Sequence, residues 1–131
     1  MKITTIVFFL LFICSQVYCQ IPDTPLVIKV YKYKIDGKAS FYSANLNGTK
    51  TATGEIFDNN KMTAASNSFK MNTWVLVTNL SNDKSVIVRI NDRMHPKMAK
   101  KGRIIDLSHA AAKKLNFLIK GITKVSIEPI D

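Results

Sequence analysis

Short runs of alternating apolar and polar residues, each cut off by a turn, constrain this chain more than any other feature. In "SVIVRIND" (85–92), Val86, Val88 and Ile90 alternate with Ile87, Arg89 and Asn91. That two-residue period belongs to a half-buried β-strand. "TWVLVTN" (73–79) repeats it, and "LSNDK" (80–84) supplies the turn that joins the two as a hairpin. "KASFYS" (38–43), "RIIDL" (103–107) and "KVSIEPI" (124–130) read as further strands, with Pro129 at the edge or end of the last. "MTAAS" (62–66) is too short and too small in its side chains to assign. One helix is predicted: Ser108 as N-cap, "HAAAKKL" (109–115) as good helix formers, and Lys113 and Lys114 in the last turn, where cations suit the dipole. Between these, 44–55 and the basic 93–102 read as loops. Many short strands with one small helix point to a closed β-barrel rather than a parallel α/β fold.

The 131 residues bound the chain to one domain. Residues 1–19 have the form of a signal peptide: Lys2, an apolar block from Ile6 to Ile13 too short to cross a bilayer as a helix, and Val17 and Cys19 at −3 and −1 of a cut before Gln20. Residues 20–36 then form a tether, with Leu26 to Ile35 as an extra edge strand, and 37–131 form the barrel. Both cysteines, Cys14 and Cys19, fall in the export segment. The mature domain therefore has no internal disulfide, which fits a bacterial periplasm or envelope better than a eukaryotic secreted domain. Lipid anchoring at Cys19 is the weaker alternative, because "SQVY" before it is a poor lipidation signal. No membrane-spanning segment is expected after cleavage, and a monomer is expected.

Nineteen Lys and Arg against nine Asp and Glu give a net charge of +10. Such a surface suits a polyanion, whether nucleic acid, acidic lipid or the carboxylate-rich bacterial wall. Export removes nucleic acid from the expected partners and leaves the wall in front.

The order of motifs "GKASFY", "TATGEIFD", "TAAS", "VLVTNLSN", "VIVRINDRMHP" and "RIIDLSHAAA" resembles the rare lipoprotein A (RlpA) family. The resemblance covers Gly37 to Ile130 and implies a six-stranded double-psi β-barrel with one or two short helices. It also implies peptidoglycan lytic transglycosylase activity, with glycan strands as partner and no cofactor. Such enzymes cut from N-acetylmuramic acid to N-acetylglucosamine without adding water. An acid protonates the departing oxygen and the sugar's own 6-hydroxyl closes a 1,6-anhydro end, so the chemistry needs a positioned carboxyl group.

The resemblance places Glu55 and Asp92 at the family's two active-site acids. Asp92 is the expected proton donor, fixed on a rigid strand end, with Glu55 assisting. Regular alternation puts Arg89 on the strand face opposite Asp92, and Arg93 points away to grip a substrate carboxylate or a nearby loop. Tyr42 is a candidate sugar-stacking residue or a core aromatic, and Asp58 and Asp106 read as structural. Two departures bear on the site. Ser66 stands where the family has His, and Met94-His95 replaces Gly-Pro, so that His95 is a candidate to fill the vacancy. Two readings stay open: a glycan-cutting enzyme, favoured by both acids, and a non-catalytic, expansin-like wall-binding barrel, favoured by the lost His. A plant-type barwin or endoglucanase relative ranks below both, for want of disulfides.

Overall fold

A computed structural model describes residues 33–130. The expected signal segment, both cysteines and nearly all of the expected tether lie outside the described residues. Six strands close into one barrel in the order β1-β5-β2-β4-β3-β6: β1 Ile35–Phe41, β2 Thr63–Ala65, β3 Trp74–Asn79, β4 Ser85–Asp92, β5 Arg103–Leu107 and β6 Thr123–Ile130. Strands β1 and β5 pair in parallel, as do β2 and β4, and the remaining neighbours are antiparallel. Each of the six has a partner on both sides, so the sheet presents no edge along which another chain could add.

The alternation read from the sequence sets the inside of the barrel. Val75 and Val77 from β3, Val86, Val88 and Ile90 from β4, Ile105 and Leu107 from β5, and Val125 and Ile127 from β6 are all buried. Helix α2 (His109–Lys114) closes one side of this core with Ala111 and Ala112, and Leu115 and Phe117 come next along the chain. Its N-cap is Ser108, whose hydroxyl accepts from the Ala111 amide at 3.3 Å. Gly37 makes room for a neighbour's side chain: a Cβ there would stand 2.7 Å from the Ile104 side chain.

The structure adjusts several expected boundaries. The first strand begins at Ile35 and ends at Phe41, which leaves Tyr42 at the mouth of the adjoining loop. The unassigned 62–66 stretch holds β2, whose three residues are buried between β4 and β5. The basic 93–102 loop contains a short helix α1 (Pro96–Ala99), entered through His95 as N-cap and Pro96 at the first position. Pro129 is one residue from the end of β6, beyond Ile127, the last residue of β6 that β1 reaches.

Asn79 is the polar centre of the fold. Its amide nitrogen donates to the Leu115 carbonyl at 2.9 Å, while its oxygen accepts from the Ser81 amide at 3.0 Å and the Thr123 hydroxyl at 2.8 Å. One buried side chain thus ties together β3, the turn after it, the end of α2 and β6. Asn79→Ala is expected to lower stability by about 1–3 kcal/mol, the usual cost of buried polar groups losing their partner. Urea unfolding, with an unchanged m-value, checks this.

Candidate functional site

Asp92 owes its position to a break in the ladder. On β2, Ala64 faces Ile90 but the next residue, Ala65, faces Asp92, so Asn91 is an extra residue bulged out of β4. A bulge turns the strand and re-aims the side chains beyond it. The Asp92 carboxylate is held from three sides. Its Oδ1 accepts from the Ala52 amide at 2.9 Å and the Arg93 amide at 2.8 Å, and its Oδ2 accepts from the Tyr42 hydroxyl at 2.6 Å. Two main-chain donors therefore anchor one oxygen. The other meets only a side-chain hydroxyl among the described residues.

Tyr42 is itself fixed, its ring edge-on to Phe57 with centroids 4.2 Å apart. Burial, and then the hydrogen bond to Asp92, push the ionisation of its phenol well above the ordinary tyrosine range. The hydroxyl therefore keeps its proton at any working pH and remains a donor to the carboxylate. Tyr42 and Asp92 line an open cavity of about 440 Å³ together with Arg93, His95, Arg103 and Asp106.

A second bulge brings in the last two. Lys38 of β1 faces Arg103, but Ala39 faces Ile105, so Ile104 is the extra residue. In a regular strand, residues 103 and 106 would point to opposite faces. Here the Arg103 guanidinium meets Asp106 at 2.9 Å and also donates to the Ser40 hydroxyl, which donates to Asp106. Ala65 faces Asp92 on one side and Asp106 on the other. The two carboxylates thus rise from strands two apart, roughly 10 Å between backbones, with an alanine as the floor between them. Asp106, expected to be structural, does brace Arg103, yet it also faces the cavity.

The other expected site residues separate. Arg93 reaches back to donate to the Ser66 and Phe69 carbonyls, which clamps the loop after β2. Ser66 is fully buried: its hydroxyl donates to the Ile104 carbonyl at 2.8 Å and accepts from the Ser68 amide at 3.2 Å. It does not line the cavity. His95 does, and its Nδ1 accepts from the Lys97 amide at 3.2 Å as the cap of α1.

Glu55 sits at the far end of the 51–55 loop whose Ala52 amide holds Asp92, and is not among the residues lining the cavity. Arg89 points away from the core, but the Asn91 bulge breaks the regular alternation expected to set it opposite Asp92 and leaves the two on one face. It grips Glu55 in a two-pronged pair, both contacts at 2.6 Å. The Thr53 hydroxyl adds a bond at 2.9 Å. The Arg89 bonds, helped by Thr53, pull the Glu55 carboxyl down to about 2, and the same pairing raises Arg89. Glu55 is therefore an anion throughout the physiological range.

Because the folded value lies below the ordinary carboxylate value, this pair stabilises the fold above about pH 4.5. That contribution fades as the pH falls from there toward 2. In Arg89→Ala the Glu55 titration, tracked by its carboxyl carbon resonance, is expected to return to the ordinary range, near 4. Acid unfolding should then lose that part of its pH dependence.

Comparison with known proteins agrees with the geometry. A family model described as lytic transglycolase matches residues 34–127. The endolytic peptidoglycan transglycosylase RlpA of Pasteurella multocida is 51% identical over 98 residues, covering 75% of this chain and 32% of that protein. The Pseudomonas aeruginosa protein of the same name is 48% identical over 99 residues, 76% of this chain and 28% of its own length. The chain thus spans about a third of the length of the curated relatives it matches. Among solved structures, Streptomyces papain inhibitor (TM-score 0.60, 22% identity, covering 76% of this chain and 96% of that one) and apo Clavibacter michiganensis expansin (TM-score 0.59, 22% identity, 76% and 51%) share the fold. The motifs, the closed barrel and these matches agree: the chain belongs to the RlpA family, and its described part is that family's double-psi β-barrel domain.

Proposed function

We propose that this barrel is a peptidoglycan lytic transglycosylase that cuts from N-acetylmuramic acid to N-acetylglucosamine and leaves a 1,6-anhydro end. The observation that carries the reading is the Asp92 carboxyl at the cavity. One oxygen is pinned by two main-chain amides, and the other is presented beside a tyrosine hydroxyl that cannot itself ionise. A carboxyl held at one oxygen and usable at the other is what directed proton transfer needs.

Asp92 gives its proton to the departing glycosidic oxygen as the bond to the anomeric carbon breaks. The 6-hydroxyl of the same muramic acid unit attacks that carbon, and its proton passes to the Asp92 carboxylate, which restores the starting state. No water is consumed, and atoms and charge balance. Tyr42 orients the working oxygen. Glu55 assists from outside the cavity as a permanent anion whose pair with Arg89 braces the 51–55 loop, so that the Ala52 amide stays on Asp92. That role suits a group held at about 2, since proton donation at neutral pH does not. His95 and Arg93 complete the wall of the cavity, and Ser66 contributes by holding the backbone beneath it. With that substrate the protein works at the cell wall, outside the cytoplasm.

Digestion of purified glycan strands, then mass analysis of the products, tests this. The unaltered chain should release anhydro-ended fragments. Asp92→Asn should lose at least about 100-fold in rate, the usual scale for a missing general acid. Binding without fragments would instead assign the barrel to the non-catalytic, wall-binding class. Tyr42→Phe, which keeps the ring against Phe57 but removes the donor, should lower kcat by roughly tenfold or more while leaving KM nearly unchanged.

A further inference from the structure

A separate surface lies beyond α2, in the turn that leads to β6. Phe117 is buried in the core and Leu118 is partly buried against it, but Ile119 is fully exposed, at 105% of its reference area, and Ile122 is exposed as well. The turn is held by its backbone: the Asn116 amide bonds the Lys113 carbonyl, the Phe117 amide the Ala112 carbonyl, and the Gly121 amide the Phe117 carbonyl. Asn116 and Gly121 take the positive φ values, 56° and 79°, that this tight return requires. Ile119 is thus presented on a fixed tip. It lines one of two neighbouring hollows that share Lys113 and Leu118, the first also lined by Lys120 and the second by Lys114.

We propose that this tip docks on an anionic phospholipid surface, with Ile119 and Ile122 entering the headgroup boundary and Lys113, Lys114 and Lys120 meeting the lipid phosphates. The chemistry selects lipid over an acidic glycan. A polysaccharide site needs a flat ring face and fixed, planar donors, whereas this tip offers aliphatic side chains and flexible ammonium groups, which act as point charges. Exposed aliphatic residues beside several lysines are the components of interfacial binding, where buried apolar area and attraction to anionic headgroups add. None of the residues lining the two hollows lines the cavity at Asp92. The inference therefore holds whatever the cavity acts on.

The chain has a single tryptophan, which permits a reporter confined to the tip. In the full chain carrying Trp74→Phe and Ile119→Trp, indole emission is recorded as vesicles are added. Phosphatidylcholine vesicles containing phosphatidylglycerol should shift the emission to the blue and expose it to quenching by brominated lipid. Pure phosphatidylcholine should do neither. Adding Lys113→Glu, Lys114→Glu and Lys120→Glu should weaken partition on the order of 100-fold. With the lysines intact, raising the salt to about 1 M should largely reverse the shift, because screening then acts within about 3 Å. An unchanged emission with anionic vesicles would overturn the proposal. So would an equal shift with neutral vesicles, or an equal shift with a soluble acidic polysaccharide.

Discussion

The site depends on two places where the barrel ladder gains a residue. At Asn91 the bulge ends the inward alternation of β4 and delivers Asp92 to the end of β2. At Ile104 the second bulge swings Arg103 and Asp106 to one face. Without these irregularities the closed sheet would hold only its valine and isoleucine interior, and the acids would be distributed by parity alone. Both bulges border the shortest strand, β2, or its neighbour β5, and alanines at 64 and 65 leave room for the chain to bend there. Bulges near functional sites serve to re-aim side chains, and here each one supplies a carboxylate.

Electrostatics then divides the acids by environment. Glu55 meets a guanidinium in two-pronged geometry and is fixed as an anion. Asp106 meets another guanidinium and a serine. Asp92 meets no cation among the described residues, only amide and hydroxyl donors. The acid that lies between Arg89 and Arg93 in the sequence is thus the one that escapes both. The Asn91 bulge leaves Arg89 on the same face as Asp92, but Glu55 takes up its guanidinium, and Arg93 turns back to clamp the loop after β2.

Much of this was legible in the sequence because it rests on periodicity. The β3–β4 hairpin, the α2 cap at Ser108 and the outward turn of Arg89 all arise from local rules that the tertiary fold does not oppose. The positions of Asp92 and Glu55 near one loop were legible only through the motifs shared with a family. Other features had no local signature. Nothing in "RIID" marks Ile104 as a bulge, so Asp106 read as a brace alone. Ser66 looked like a cleft residue because it replaces a histidine, yet a serine is short enough to be buried, and its hydroxyl is used by the Ile104 carbonyl and the Ser68 amide. The helix at Pro96 was hidden in a basic loop, since four residues are too few to show a period.

The last strand fills the gap between the first and the third. β1 and β3 therefore have open flanks until β6 arrives, and most of the native pairing is distant along the chain. A topology of that kind forms slowly and late. A nascent chain lacking β6 exposes two unpaired strands rather than a smaller stable barrel, and such flanks invite aggregation. Closure of the barrel thereby waits on residues 123–130, which supply the pairing that both flanks lack.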